Sequence, residues 1–356
     1  MRLLMKGNEA IAEAALRSDC RLFFGYPITP STEVPEYMAK KMRAIGGTYL
    51  QAESEVAAIN MVYGAAAAGE RVMTATSSQG FSLMQEGVSY LFAGELPTVI
   101  VDVMRHGPGL GGLGPTQADY FQLTKGGGHG DYHSIVLAPA TVQEMVDLTQ
   151  DAFDLADQWR NPVIIALDGI LGQMMEPVEF VDREKRELPS KDWAANGLQS
   201  RTTKTKNNLV SYTLSNEVGE VHSLHWNAKI DAMHKSEQRY VEYLMQDAEY
   251  AFVAFGTCSR ITETAIDILR EEGFKVGLIR PITLWPFPEK GLLNRVNQMK
   301  GWMSIELSAG QMVEDVRLAV NGKAPVAFFG RHGGMTPEPE EVVAAWKDRF
   351  VEGGVK

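Results

Sequence analysis

The sequence predicts an α/β protein with two units, a first that is doubly wound around a parallel sheet and a second, smaller parallel α/β unit. Three observations lead to this fold class. β-rich runs alternate with helical patterns in the first half of the chain and again after residue 247. Several strand candidates are continuous apolar runs, such as VIVDV and VIIAL, which suit a sheet that is covered on both faces. The length of 356 residues exceeds that of one ordinary domain.

The first unit is expected to span residues 1–180. Its strand candidates are rich in β-branched and apolar residues and lie at Arg21–Gly25, Thr48–Gln51, Arg71–Thr76, Thr98–Met104, Ser134–Ala138 and Pro162–Asp168. The helical patterns between them lie at Ser31–Ile45, Ser54–Gly69, Gly80–Ala93 and Thr141–Trp159. The charged N-terminus, MRLLMKGNEAIAEAALRSD, has helical periodicity, so we expect an amphipathic helix there and no targeting segment.

The alternation stops between residues 181 and 246, which are polar and mixed in charge. We interpret this stretch as a linker with one helix near Asn227–Gln246. The second unit then spans residues 247–356. Its strands are expected at Tyr250–Gly256, Lys275–Arg280, Gly301–Leu307 and Val326–Gly330, and its helices at Ser259–Glu272, Pro288–Gln298, Gln311–Val320 and Pro339–Phe350.

Charge and cysteine content exclude several classes of protein. The formal net charge of −11 argues against a nucleic-acid or anionic-membrane partner, which would favour a basic face. The two cysteines, Cys20 and Cys258, are too few for an iron–sulfur cluster or a structural zinc site, which need about four ligands. No stretch approaches the ~20 apolar residues of a membrane span. We therefore expect a cytoplasmic protein without disulfides, in a reducing compartment.

Two glycine-rich segments, Gly109–Gly114 and Gly126–Gly130, follow predicted strands. The first matches G-x-G-x-x-G, but a dinucleotide fingerprint opens directly into a helix, and here a proline follows at once. We interpret it as a loop at the carboxyl end of a strand, where open α/β sheets bind ligands. The nearby histidines lack the spacing of known metal sites, so no metal ligand is predicted: His106, His129 and His133. A hydrogen bond from one of them to a substrate stays open.

Two turns offer further site residues. In GYPITPSTE, Pro27 and Pro30 stiffen the chain after the first strand and hold Thr29 at the edge of the sheet. In QAESEVAA, Glu55 opens a helix whose other residues are mostly apolar. An acidic residue in a first helical turn is often explained by the helix dipole. A carboxylate at the mouth of a buried helix is also a catalytic candidate, because burial can raise its pKa.

These motifs resemble the pyrimidine-binding (α) subunit of 2-oxoacid:ferredoxin oxidoreductases. The resemblance rests on GYPITPS, QAESEVAAINMVYGAAAAGE, TSSQGFSLMQEG and AGELPTVIVDVMR. The later run FVAFGTCSRITETAIDILREEGFKVGLIRPITLWPFP resembles the family's transketolase C-terminal-like domain. The match covers nearly the whole chain and implies a thiamine diphosphate-binding fold for the first unit. MKGNEAIAEAAL, INMVYGAAAAG and GPTQADYFQLTKGGGHGDY are most similar to the branched-chain (2-oxoisovalerate) type.

The resemblance implies oxidative decarboxylation of a 2-oxoacid to acyl-CoA and CO₂ with thiamine diphosphate as cofactor. By motif position, Glu55 rather than Glu53 is the glutamate that hydrogen-bonds the aminopyrimidine ring and acts in catalysis. Tyr26 and Pro27 are the other candidates for cofactor contact.

The same resemblance assigns the substrate. Thr29 and Arg105 match the threonine and the arginine that bind the 2-oxoacid, and a guanidinium group pairs with a carboxylate through two hydrogen bonds. His106, which follows Arg105, is a further substrate-binding candidate. Because Gly107–Asp119 contains no lysine or arginine, an apolar substrate side chain is favoured over the second carboxylate of 2-oxoglutarate.

Partner subunits are expected from a missing motif. Thiamine enzymes bind the diphosphate through Mg²⁺ and a Gly-Asp-Gly motif, which this chain lacks; Gly130-Asp131-Tyr132 comes nearest, and Asn207-Asn208 lies in the linker. We therefore expect a β subunit to hold the diphosphate and Mg²⁺. The resemblance further implies a γ subunit, a ferredoxin-like δ subunit with 4Fe–4S clusters, ferredoxin as electron acceptor, and coenzyme A as co-substrate.

Three alternatives stay open at this point. The chain could be the α subunit of a 2-oxoglutarate:ferredoxin oxidoreductase, part of a non-redox thiamine diphosphate enzyme, or a non-catalytic scaffold that keeps the fold. Pyruvate also stays open as the substrate, although pyruvate enzymes of this family are usually longer fused chains. Fold alone does not separate them, because one fold hosts several functions.

Overall fold

The structure is a computed structural model that describes residues 2–181, 183, 186–197 and 206–353. Its strands form sheets of seven, five and two strands. No helix in these ranges is both long and apolar enough to cross a membrane. We call the chain up to Glu179 the first unit and the chain from Tyr240 onwards the second unit.

The first unit alternates strands and helices along the chain. In order, its elements are β1 (Arg2–Lys6), α1 (Gly7–Arg17), β2 (Leu22–Gly25), α2 (Glu33–Lys41), β3 (Thr48–Gln51), α3 (Glu55–Ala67), β4 (Val72–Thr76), α4 (Gln79–Ala93), β5 (Thr98–Met104), α5 (Tyr120–Thr124), β6 (Ile135–Leu137), α6 (Val142–Trp159), β7 (Pro162–Asp168), α7 (Gly169–Gln173) and β8 (Met175–Glu179). A 3₁₀ turn, Met42–Ile45, extends α2.

The seven-stranded sheet has the order β12-β6-β7-β5-β4-β2-β3, where β12 (Thr283–Trp285) comes from the second half of the chain. β2 to β7 run parallel, so their carboxyl ends meet at one edge. Every residue of β5 and β7 is buried, as their continuous apolar runs predict. Full burial of one large aliphatic side chain stabilises by about 1.5–3 kcal/mol relative to exposure.

The second unit continues the alternation after a long helix. This helix is α8 (Asn216–Ser236), and the elements of the second unit are β9 (Tyr240–Tyr243), β10 (Tyr250–Val253), α9 (Gly256–Glu271), β11 (Val276–Pro281), β12, α10 (Glu289–Leu293), β13 (Gly301–Glu306), α11 (Met312–Val320), β14 (Val326–Gly330) and α12 (Pro339–Lys347). Its sheet has the order β14-β13-β10-β11-β9, and β9 alone is antiparallel to its neighbour.

Three predicted helices differ markedly in extent from the structure, and the one predicted at Pro288–Gln298 is limited to α10. At the N-terminus, β1 precedes α1 and pairs antiparallel with β8, so the amphipathic helix begins only at Gly7. The linker helix ends at Ser236 instead of continuing to Gln246, because Tyr240–Tyr243 pairs with β11 as an edge strand. Both strands are short and depend on a distant partner, which local periodicity does not reveal.

Buried hydrogen bonds join the two units. Asp168, at the end of β7, accepts hydrogen bonds from Thr257 N at 2.9 Å and from Thr257 Oγ1 at 2.6 Å, at the start of α9. Gln117 donates to the Phe255 carbonyl oxygen at 2.8 Å. Tyr120 and Phe255 also bring their ring centroids to 6.1 Å. The second unit therefore packs against the carboxyl edge of the first sheet.

Candidate active site

The carboxyl ends of three neighbouring strands bring predicted site residues to one edge of the seven-stranded sheet. β2, β4 and β5 are adjacent and parallel. The turn 26–29 follows β2, Ser78 follows β4, and Arg105 follows β5. This edge is where open α/β sheets bind ligands.

Thr29 and Arg105 are in direct contact. Arg105 Nη1 donates a hydrogen bond to the Thr29 carbonyl oxygen at 2.8 Å. Arg105 Nε has no hydrogen-bond partner within the described ranges. A guanidinium group carries five N–H donors in one plane, so donors remain for an anionic ligand. The structure thus brings two predicted substrate residues together around an available cation.

Ser78 is a site residue that the sequence does not predict. Its N–H donates to Asp102 Oδ1 at 2.8 Å, and its Oγ accepts from Arg105 N–H at 3.0 Å. Its φ of 26° is rare for a residue other than glycine, and such a conformation costs about 1–3 kcal/mol. These hydrogen bonds hold the strained residue and fix the backbone of Arg105.

Glu55 lies at the same edge, at the first position of α3. The Ala52 N–H donates to the Gly25 carbonyl oxygen at 2.9 Å, which ties the end of β3 to the end of β2. The Ser54 side chain caps α3 by accepting from Ala57 N at 3.1 Å. Glu55 is only 6% exposed, whereas the side chain of Glu53 is exposed. Glu55 is therefore the acidic residue of this motif that faces the interior.

The surroundings of Glu55 fit a polar aromatic ring. A Cβ on Gly80 would lie 2.0 Å from Thr76 Oγ1 and 2.8 Å from Glu55 Oε1, so only glycine leaves room for this carboxylate. The buried hydroxyls of Thr76 and Ser77 have no hydrogen-bond partner among the described residues. Unpaired buried polar groups are costly, which points to a ligand as their partner. A carboxylate and unpaired hydroxyls match the hydrogen-bonding groups of an aminopyrimidine.

Tyr26 and Pro27 are exposed at the carboxyl end of β2. Tyr26 is 37% exposed, which leaves its ring open to a ligand or a partner chain. The structure places both residues next to the turn that carries Thr29, without a hydrogen bond from Tyr26 to Glu55 among the described residues.

His106 is enclosed by glycines. A Cβ on Gly112 would lie 2.4 Å from His106 Cε1, and one on Gly334 would lie 2.8 Å from His106 Nδ1. This Nδ1 is buried and has no partner in the described part of the chain. The segment Gly109–Gly114 forms a loop without a helix, as its proline predicts. It folds over the imidazole ring instead of binding a dinucleotide at a helix N-terminus.

The other two histidines lie elsewhere. His133 stacks on Trp285 with ring centroids 4.5 Å apart, at the β6–β12 side of the sheet. Burial lowers the pKa of His133, so this ring is neutral at physiological pH. His129 is exposed in the second glycine-rich segment. His133 therefore has a packing role that explains its presence without a substrate.

A cleft of about 660 Å³ opens between the two units beside Arg105. Its walls include polar side chains that sequence reasoning does not assign to the site: Gln79, Ser82, Gln122, Ser308, Gln311 and His332. The last three come from the second unit, which has no recognisable catalytic motif in its sequence. Only the folded chain shows that its loops line the site.

The described residues form neither a metal-binding cluster nor a reactive thiol site. Within them, no group of three or more His, Cys, Asp or Glu side chains could hold a metal ion. Asn207 donates its amide to the Ala194 carbonyl oxygen at 3.1 Å, inside the linker. Burial raises the pKa of Cys20 to about 12 and that of Cys258 well above its usual range. Both thiols are therefore protonated and unreactive at neutral pH.

Two family models match the chain. Residues 13–244 match "Pyruvate flavodoxin/ferredoxin oxidoreductase, thiamine diP-bdg", and residues 248–342 match "Pyruvate:ferredoxin oxidoreductase core domain II". The ketoisovalerate oxidoreductase subunit VorB of Methanothermobacter marburgensis is 49% identical over 340 residues, which cover 96% of either chain. The 2-oxoglutarate synthase subunit KorA of Methanocaldococcus jannaschii is 36% identical over 365 residues, 96% of this chain and 98% of the relative.

Solved structures agree in fold. A 2-oxoglutarate:ferredoxin oxidoreductase from Magnetococcus marinus, with 2-oxoglutarate, coenzyme A and succinyl-CoA bound, superposes with a TM-score of 0.85 at 27% identity. The match covers 98% of this chain and 65% of that chain, so this chain spans about two thirds of its length. A split-gene transketolase, in an inactive β4 tetramer, superposes with a TM-score of 0.58 at 13% identity, which shows likeness of fold alone.

Proposed function

This chain belongs to the 2-oxoacid:ferredoxin oxidoreductase family, and from that premise we propose that its first unit binds the 2-oxoacid through Arg105 and Thr29 and activates thiamine diphosphate through Glu55. The observation that carries the proposal is the Arg105–Thr29 contact of 2.8 Å at the strand edge. The family is thiamine diphosphate-dependent, and the chain is a subunit of an oxidoreductase that decarboxylates a 2-oxoacid.

Glu55 is the residue that we assign to the cofactor. A bound thiamine diphosphate supplies the carbon nucleophile and the electron sink that decarboxylation of a 2-oxoacid requires. Glu55 would hold a proton at a ring nitrogen of the aminopyrimidine, because its carboxylate is enclosed next to Gly80 and the unpaired hydroxyl of Thr76. Tyr26 and Pro27 would cover the ring from the end of β2.

Arg105 is the residue that we assign to the substrate carboxylate. Its bond to the Thr29 carbonyl orients the guanidinium group, and charge-assisted pairing with a carboxylate then fixes the 2-oxo carbon in position. His106, which lines the same cleft, would contact the substrate beside it. Every donor here is placed before the substrate arrives, which lowers the entropy cost of binding.

For the substrate we propose a branched-chain 2-oxoacid, with 2-oxoisovalerate first. The loop beyond Arg105 carries two exposed apolar side chains, Leu110 at 82% and Leu113 at 62% exposure, and no lysine or arginine up to Asp119. A second substrate carboxylate would need a cation there. The 49% identity to a ketoisovalerate oxidoreductase subunit, against 36% to a 2-oxoglutarate synthase subunit, supports the same choice. 2-Oxoglutarate is the second candidate.

The remaining parts of the reaction we assign to partner subunits. A β subunit would hold the diphosphate and Mg²⁺, since the sequence lacks a Gly-Asp-Gly motif. γ and δ subunits with 4Fe–4S clusters would pass electrons to ferredoxin, because two buried cysteines on different units cannot ligate a cluster. Coenzyme A would accept the acyl group. We also keep the division into residues 1–180, 181–246 and 247–356 as our proposal for the domains.

Glu55→Ala in the full complex tests this function. We expect loss of 2-oxoacid oxidation by at least 10²-fold, the usual contribution of a proton-transfer group, with assembly unchanged. Glu53→Ala is the matched control, because it removes a neighbouring carboxylate that faces solvent. The measurement is coenzyme A-dependent reduction of a viologen dye. Unchanged turnover in Glu55→Ala would mean that this chain is a scaffold.

A further inference from the structure

Two carboxyl groups lie against each other in the interior behind Arg105. Asp102, on β5, is fully buried, and Asp119, directly before α5, is 8% exposed. Both carboxyl groups accept a hydrogen bond from the same residue, Ser78, Asp102 from its N–H and Asp119 from its Oγ, which makes them close neighbours. Two ionised carboxylates at such a distance repel each other strongly in a buried environment, so the pair has to share a proton.

The hydrogen bonds around the pair leave one oxygen for that proton. Asp102 Oδ1 accepts from Ser78 N–H at 2.8 Å. Asp119 accepts from Ser78 Oγ through one oxygen and from Gln122 Nε2, at 2.8 Å, through the other. Asp102 Oδ2 has no donor among the described residues. A proton on Asp102 Oδ2 can be donated to Asp119 and satisfies the last buried acceptor.

The surrounding groups place this proton on Asp102. Burial, and then the charge of Asp119, raise the pKa of Asp102 well above its usual range. Burial also raises the pKa of Asp119, but hydrogen bonds from Ser78 and Gln122 oppose that rise. No lysine or arginine is among the groups that shift either pKa.

Ser78 connects the pair to the substrate residue. Its N–H and its hydroxyl are both held by the two aspartates, and its Oγ accepts the backbone N–H of Arg105 at 3.0 Å. Because Ser78 has a φ of 26°, its conformation depends on these bonds. Loss of the shared proton would therefore move the residue that fixes Arg105.

We propose that Asp102 is a positioning residue: it shares one proton with Asp119 and thereby holds Ser78 and Arg105 in the geometry that binds the carboxylate of the 2-oxoacid. The inference rests on the proposed role of Arg105. Asp102 is fully buried and acts through Ser78, so its effect is mainly on substrate affinity.

Infrared spectroscopy tests the proton itself. In the full complex, a protonated carboxylic acid gives a C=O stretching band that shifts in D₂O, apart from ionised carboxylates. We expect the wild-type minus Asp102→Asn difference spectrum to contain one such band at neutral pH. Asp131→Asn, at an exposed aspartate, is the matched control and should give none. A difference spectrum for Asp102→Asn with only an ionised-carboxylate signal would overturn the shared proton.

Substrate kinetics test the positioning role. Asp102→Asn keeps an acceptor for Ser78 N–H and a donor for Asp119, so we expect KM for 2-oxoisovalerate within about twofold of wild type. Asp102→Leu keeps the branched shape and removes both bonds, so we expect KM to rise at least about tenfold, with a smaller fall in kcat. If the complex that contains Asp102→Leu does not assemble, Ser78→Ala is used instead, and we expect the same rise in KM. An unchanged KM in the variant that assembles, or an equal rise in Asp102→Asn, would contradict the inference.

Arg105→Met in the same assay separates this inference from the proposed function. If Arg105→Met raises KM and Asp102→Leu does not, only the role of Asp102 is wrong. If Arg105→Met leaves KM unchanged, the assignment of the substrate carboxylate is wrong, and the role of Asp102 in binding falls with it.

Discussion

The two α/β units differ in how far their buried polar atoms are paired by hydrogen bonds. At the carboxyl edge of the first sheet, Thr76, Ser77, Arg105 and His106 all carry buried polar atoms without partners among the described residues. In the second unit, Trp302 Nε1 is the one such atom within the same ranges. Its Glu306 is the contrast: the buried carboxylate accepts hydrogen bonds from two serines and from three backbone N–H groups.

The difference separates a binding edge from a supporting unit. Unpaired buried groups lower stability, and they persist where a ligand completes them. A fully satisfied network such as that around Glu306 instead rigidifies its loop, which lines the cleft through Ser308. We therefore expect substitutions in the first unit to change activity more than stability, and substitutions in the second unit to do the reverse.

After Glu55, Arg105 is the position where the largest effect is expected. Arg105→Met removes the charge and keeps most of the side-chain length. Because hydrogen bonds to charged groups are worth about 1.5–3 kcal/mol, KM for the 2-oxoacid should rise about 10–100-fold. Steady-state kinetics of the complex measure this. Arg43→Met, at an exposed arginine, is the control and should leave KM unchanged. A similar KM for both variants would contradict the role of Arg105 in binding the substrate.

Gly80→Ala tests the enclosure of Glu55. The added Cβ would lie 2.8 Å from Glu55 Oε1, so the carboxylate has to move, and we expect at least a tenfold loss of kcat. Gly64→Ala is the control, because it adds a Cβ into open space on α3 and should stabilise the chain by up to about 1 kcal/mol. Turnover is compared after assembly has been checked by gel filtration. Full activity in Gly80→Ala would show that the position of Glu55 is not critical.

Thr257→Val addresses the second unit. It removes the 2.6 Å hydrogen bond to Asp168 and keeps the shape of the side chain, so we expect a loss of about 1–3 kcal/mol of stability, with kcat within twofold. Thr264→Val, on the exposed face of α9, is the control. Thermal unfolding of the complex measures the difference. A large fall in kcat without a change in Tm would assign this contact to catalysis instead.

The smallest effect is expected in the pH dependence of stability. Since the pKa of Asp102 is raised in the folded chain, the folded state binds more protons than the unfolded state above about pH 4. Its contribution to stability is therefore complete below that pH and is lost as pH rises towards the raised pKa. Asp102→Asn should flatten this part of the Tm–pH profile, while Asp131→Asn should not. Parallel profiles for wild type and Asp102→Asn would contradict the assignment.

Much of the fold follows from local sequence. The bounds of β3, β5, β7 and β14 agree with the predicted strands; β5 and β7 are buried apolar runs, and β3 and β14 are short runs rich in β-branched, aromatic or aliphatic residues. No local sequence pattern predicts β9 and β12. Each has three or four residues and owes its pairing to a distant strand, and β12 even joins the sheet of the other unit.

The site residues also fall into two groups, those whose positions follow from local sequence and those that depend on distant contacts. Thr29 and Arg105 both follow strands that the alternation of elements predicts, and these strands, β2 and β5, run parallel on either side of β4, so their carboxyl ends lie at one edge. The sequence does not predict the roles of Ser78, Asp102 and Asp119. These roles depend on contacts between residues that lie 17 to 41 positions apart in the chain. No short sequence motif indicates which buried carboxyl group is protonated.

The most direct test of the central claim is the ratio of kcat/KM for 2-oxoisovalerate to that for 2-oxoglutarate, measured in the full complex with coenzyme A and a viologen dye. We predict a ratio well above ten, because the loop beyond Arg105 carries the exposed side chains of Leu110 and Leu113 and no lysine or arginine up to Asp119 that could pair with a second carboxylate. A ratio below one would contradict the proposed substrate and the reading of the strand edge as an apolar 2-oxoacid site.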